Sequence, residues 1–166
     1  MELDELFGYV VITLTLFVAF VFSVLALPDF IPQVFGYLRP DWVLLVLVYW
    51  ILALPGRVGI GWAWVTGLFV DVMTGSLLGI HGISFVLIAY ILVSQYQKVR
   101  MYSVVQQAGI VFGLVFASQL LGLWLVTMTS DFEFGFLYFM PSMASGLVWP
   151  FAYLVLRGIR RKAGLR

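Results

Sequence analysis

From Gly8 to Leu27 the chain carries no charged residue. About 20 mostly apolar residues cross about 30 Å of hydrocarbon as one helix, so this run alone predicts a membrane span. It stops at Pro28-Asp29 and is preceded by Glu2, Asp4 and Glu5 instead of the basic stretch of a cleavable signal. The expectation is an uncleaved first helix, its acidic flank placed where the helix dipole favours negative charge. Similar runs recur along the chain, and the spans are predicted at 8–27, 40–54, 59–79, 83–97, 104–128 and 136–156. The second is short, because Trp42 to Leu54 is closed by Pro55-Gly56-Arg57. It crosses only if Arg39-Pro40-Asp41 lies among the headgroups with Pro40 at the helix start. The predicted fold class is an all-α integral membrane protein: one transmembrane domain of six helices, with a basic tail over 157–166.

Composition narrows the function classes. The chain is 63% apolar and 10% charged, too little charge to solvate a water-soluble domain. Nine basic and eight acidic residues give a net charge of +1, which leaves no electrostatic footprint for nucleic acid. Cysteine is absent, which removes disulfides, thiolate metal sites and a cysteine nucleophile. With the N-terminus inside, the inner connections and tail carry Arg57, Lys98, Arg100, Arg157, Arg160, Arg161, Lys162 and Arg166, and the outer ones only Arg39. The positive-inside rule then places both termini in the cytoplasm.

Four features stand out as candidates for function. The third segment has small residues at four-residue spacing, Gly59, Ala63, Gly67, Gly75 and Gly79, interrupted by Asp71; such a stripe lets another backbone approach closely. Asp71 lies about 18 Å along a helix begun at Gly59, and an acid within a span costs about 2.5–3.5 kcal/mol on insertion scales. It needs water or a partner, either as a proton relay or ligand site or, as favoured here, as a polar clamp on neighbouring helix ends near Thr74-Gly75-Ser76. His81, the one histidine, is read as a loop residue at the interface or bonded to a backbone carbonyl, since no metal or triad partners accompany it. The helix-entrance motif Arg39-Pro40-Asp41-Trp42 suits a cap from Asp41 on the second helix, with Arg39 meeting Asp29 or lipid phosphate.

Gly109 and Gly113 form a GxxxG in the fifth segment, a face for contact within the bundle or with another subunit. Gln119 on that helix should seek an internal partner, and Pro150 should kink the sixth. The loop from Pro28 to Arg39 interleaves aromatic and aliphatic residues with turn formers and should lie on the membrane or a partner. Arg157, Arg160, Arg161 and Lys162 form a basic tail that anchors the inner side and attracts anionic lipid.

The stretch Arg39-Pro40-Asp41-Trp42-Val43-Leu44-Leu45-Val46-Leu47-Val48-Tyr49-Trp50, with Leu54-Pro55-Gly56-Arg57-Val58-Gly59, resembles the rod shape-determining MreD family of rod-shaped bacteria. So do Gly67 through Gly79 and Ala89 through Met101. The resemblance implies a non-enzymatic, multi-pass scaffold subunit of the cell-wall elongation machinery in the bacterial inner membrane. The partners it implies are MreC, the RodA glycosyltransferase with a penicillin-binding transpeptidase, and, indirectly, MreB. It also implies a fold similar to the substrate-binding subunits of energy-coupling-factor transporters. A further copy of the chain is another expected partner; no cofactor is expected. The alternative function is a small-molecule-binding transport component, against which stands the wide spacing of Ala19 and Ala26 where those subunits carry an AxxxA face.

Overall fold

The computed structural model describes residues 3–24, 38–128 and 135–165; of the predicted interfacial loop from Pro28 to Arg39, residues 28–37 lie outside them. The described residues form α1 (Leu3–Val24), α2 (Trp42–Ala53), α3 (Ile60–Thr74), α4 (Ile80–Met101), α5 (Val104–Thr127) and α6 (Met140–Lys162), the last entered through a short 3₁₀ turn at Phe136–Phe139. Successive helices pair, α1 on α2, α3 on α4, α4 on α5 and α5 on α6, and α2 also packs on α4 and α6. Short connections make neighbours antiparallel. One end of the bundle therefore holds Arg57, Lys98, Arg100 and the last turn of α6, and the opposite end holds the starts of α2, α4 and α6.

α2 is the centre. Every residue from Val43 to Leu52 is buried, as expected of a helix that is apolar all round. Asp41 caps it by accepting a hydrogen bond from the Leu44 amide at 3.0 Å, and Pro55 closes it. α1 behaves differently: Ile12, Leu16 and Ala19 turn inward while Leu14, Phe17 and Val21 are exposed, a helix with one face on protein and one on lipid. The indole of Trp50 donates to Thr15 Oγ1 at 2.8 Å, which fixes the register of α1 on the core.

Six full-length spans are not what the helices provide. α1, α4, α5 and α6 are long and apolar enough to cross a membrane, whereas α2 and α3 have 12 and 15 residues, about 18 and 22 Å. Non-helical backbone at membrane depth is tolerated where protein covers it, and the turn after α2 is so covered: Leu54 and Val58 are buried, and the Arg57 and Val58 amides both donate to the Leu54 carbonyl. The segment predicted to run from 59 to 79 ends at Thr74. Gly75 takes a left-handed conformation (φ 64°) at the C-cap and Gly79 (φ 104°) starts α4, so the glycines that prolong the apolar pattern terminate the helix.

α5 begins where expected, with a reciprocal cap between Ser103 and Gln106. α6 is helical through Pro150 and on to Lys162, so residues 157–162 of the predicted tail are its last turns. Leu165 then folds back: its amide bonds to the Arg160 carbonyl across a left-handed Gly164 (φ 67°), and the side chain is buried.

Candidate functional site

The polar features gather at the end of the bundle opposite Arg57, Lys98, Arg100 and the last turn of α6. Asp71, in the last turn of α3, is fully buried. Its Oδ1 accepts from Ser76 Oγ at 2.8 Å, the His81 amide at 3.0 Å and His81 Nδ1 at 2.8 Å, and its Oδ2 accepts from the Gly79 amide at 2.7 Å. The N-cap of α4 is Gly79, which has no side chain to offer. The carboxylate that should sit there comes instead from the preceding helix, where it meets the orphan amides and positive dipole end of α4. Asp71 is thus the clamp on neighbouring helix ends. His81 is in the first turn of α4, and it bonds Asp71 where a backbone carbonyl was the expected acceptor. Because a carboxylate accepts, it is the Nδ1 proton that His81 presents to Asp71.

One turn earlier on α3, Gly67 meets Gly82 of α4. A Cβ on Gly67 would stand 2.6 Å from the Gly82 Cα and 2.7 Å from the His81 carbonyl oxygen, so only glycine permits this crossing. Ala63, a turn below, is also buried. The rest of the stripe differs: at Gly59, Gly75 and Gly79 a Cβ would meet nothing within 4 Å. The same holds at Gly109 and Gly113 of α5. The close contact between α5 and α6 is made by Gly146, where a Cβ would lie 3.1 Å from Phe112 Cβ and 3.3 Å from the Ala108 carbonyl.

His81 lines a cavity of about 480 Å³ together with Arg39, Pro40, Asp41 and Trp42 of the helix-entrance motif. Thr74, Ser76, Ser84, Ser118, Gln119 and Tyr138 are also on its wall, with Phe22 of α1. The Asp41 amide donates to Ser145 Oγ of α6 at 2.9 Å, tying the start of α2 to the start of α6. Gln119 does not find the internal partner expected of it: its Oε1 is buried without a hydrogen-bond partner among the described residues. The proposed contact of Arg39 with Asp29 falls outside those residues. Among the described residues no group of three His, Asp or Glu side chains is arranged to hold a metal. At the other end Arg157, Arg161 and Lys162 are exposed and Arg160 is half-buried.

Sequence reasoning singled out Asp71, His81, Gly67 and the Arg39 to Trp42 motif but missed Gly82, Ser145 and Gly146, and did not join Asp71 to His81. A signal for Gly82 exists in the glycine-rich turn Gly79-Ile80-His81-Gly82. The wall of Ser84, Ser118 and Tyr138 has none, being assembled from separate elements.

The family model for the rod shape-determining protein MreD matches residues 4–159. A rod shape-determining protein MreD of Haemophilus influenzae is 37% identical over 134 residues, covering 81% of this chain and 83% of that one. No solved structure matches the chain.

Proposed function

The chain belongs to the MreD family of rod shape-determining proteins, and from that premise we propose that it serves as a non-enzymatic scaffold of the wall-elongation machinery. Family membership supports a role in determining rod shape, carried out by a multi-pass protein of the bacterial cytoplasmic membrane. In this reading both termini face the cytoplasm. Its helices hold MreC, and through it RodA with its transpeptidase and, indirectly, MreB, while the basic last turns of α6 rest on anionic lipid.

The observation that supports holding another membrane helix is the outward face of α5. Gly109 and Gly113 leave open space where a Cβ would be, between an exposed Val105 and Phe112. Lipid tails give no hydrophobic drive for helices to associate, so close backbone approach at small residues is what remains to hold them. Gly113→Leu should reduce recovery of MreC with the tagged chain from detergent-solubilised membranes and round the cells, while the chain itself accumulates normally. Undiminished recovery of MreC, with rods retained, would remove this face from the proposal.

A further inference from the structure

The lipid-facing sides of the bundle differ in height. Large apolar side chains are exposed on α1 from Leu6 to Val24 and on α5 from Val105 to Trp124, about 27 and 29 Å along each helix. Both match a hydrocarbon core of about 30 Å. The α3 to α4 hairpin offers less. α3 has 15 residues, about 22 Å, and gives way to an exposed Thr74 and the turn at Ser76. From the start of α4 at Ile80 to Val93, about 21 Å, the exposed side chains are Ile83, Leu87, Tyr90 and Ile91. Beyond that point Ser94, Gln95, Gln97, Lys98 and Arg100 are all exposed. Leu77 and Leu78, exposed in the turn between the helices, add a residue step of about 4 Å, which leaves the band about 5 Å short of the hydrocarbon.

A helix that is too long can tilt, but tilting lowers a short one further, and the side chains of Ser94, Gln95 and Gln97 are too short to snorkel far. What remains is a thinner bilayer or cover by another helix. A covering helix needs small residues that face outward. On the hairpin these are spent inside, because Ala63 is buried and Gly67 lies against Gly82. Its outward side chains are large, Trp64, Phe69, Val72, Leu87 and Tyr90 among them, an uneven surface that fluid acyl chains can follow and a rigid helix cannot.

We propose that the α3 to α4 hairpin is a thin face, at which the bilayer narrows by about 5 Å and phospholipids with short acyl chains are preferred. The faces of α1 and α5 carry no such preference, so the selection is confined to one side of the molecule.

The chain has no cysteine, so Leu87→Cys on α4 and Leu120→Cys on α5, at positions 45% and 44% exposed, each accept a single thiol-reactive fluorophore. The labelled full chain is reconstituted in mixtures of phosphatidylcholines with myristoleoyl or oleoyl chains, one of the two brominated to quench. At position 87 the myristoleoyl lipid should be held about threefold more strongly than the oleoyl lipid, a mismatch of fractions of a kcal/mol per Å; at position 120 it should be held no more strongly. Ser94→Leu, Gln95→Leu and Gln97→Leu together lengthen the band by about 6 Å and should erase the preference at position 87. The same chain-length preference at both positions overturns the proposal without the lengthened band. So does a preference that survives the lengthened band in monodisperse protein, or a fluorophore at position 87 shielded from both lipids, the sign of a second copy covering the face.

Discussion

α3 and α5 carry the same kind of sequence signal and put it to opposite uses. Both have small residues four apart, Ala63 and Gly67 in α3 and Gly109 and Gly113 in α5, and polar side chains within an apolar helix, Asp71 and Gln119 among them. In α3 the signal is consumed internally: Gly67 touches the backbone of Gly82, and every polar contact of Asp71 is made within the α3 to α4 hairpin. In α5 it is left open: among the described residues nothing lies within 4 Å of where a Cβ on Gly109 or Gly113 would stand, and the buried oxygen of Gln119 has no partner. Spacing says that a backbone can approach; only the packing says whose. Substitutions in α3 should therefore be read out in folding, and those in α5 in what binds.

The sharpest test of that contrast is Gly67→Leu against Gly113→Leu. Overpacking a filled contact costs about 1–3 kcal/mol even for small additions, and here the neighbour is backbone that cannot yield. Gly67→Leu should abolish the monodisperse folded protein in detergent size-exclusion chromatography. Asp71→Ala comes next: it strands the amides of Gly79 and His81 and the hydroxyl of Ser76, and a loss of about 3 kcal/mol is expected in denaturant titration. Asp71→Asn should recover part of it, since an amide oxygen can still accept. A fall of about 1 kcal/mol is expected for Ser103→Ala, which removes the reciprocal cap of α5 but leaves its outward face intact. Gly113→Leu should change stability by less than about 0.5 kcal/mol, as surface substitutions do, while lowering partner recovery. Should Gly113→Leu unfold the protein as Gly67→Leu does, the distinction between the two helices fails.

How much of this was legible in the sequence follows from what each feature depends on. α1, α5 and α6 could be read because their apolar runs approach or exceed a membrane thickness and end at charges or turn formers. α4 runs from Ile80 to Met101, and its predicted span, 83–97, is too short because Lys98 and Arg100 lie within its last turn. α2 was bracketed by Pro40-Asp41 and Pro55 to within two residues of its ends. The end of α3 was misplaced because Gly75 and Gly79 fit the small-residue stripe as well as they fit a left-handed turn; composition cannot tell a glycine that packs from one that stops a helix. That error carried another: with the helix extended to Gly79, Asp71 lay inside a span and His81 in a loop beyond it, so the bond between them was hidden. The cavity was illegible for a different reason. Its wall draws on side chains from α1, α2, α4, α5 and the turn before α6, and no local pattern encodes such a meeting.

The clamp at Asp71 also bears on how the chain is made. Its carboxylate finds Ser76, Gly79 and His81 within ten residues of itself, so the hairpin needs no other helix to neutralise the cost of its acid. α3 and α4 can leave the insertion machinery as one unit, the charge already enclosed by their own turn, before α5 and α6 have been synthesised. Replacing His81 or Ser76 should thus act first during biogenesis, as slower membrane integration of the α3 to α4 pair, and only afterwards on the assembled protein.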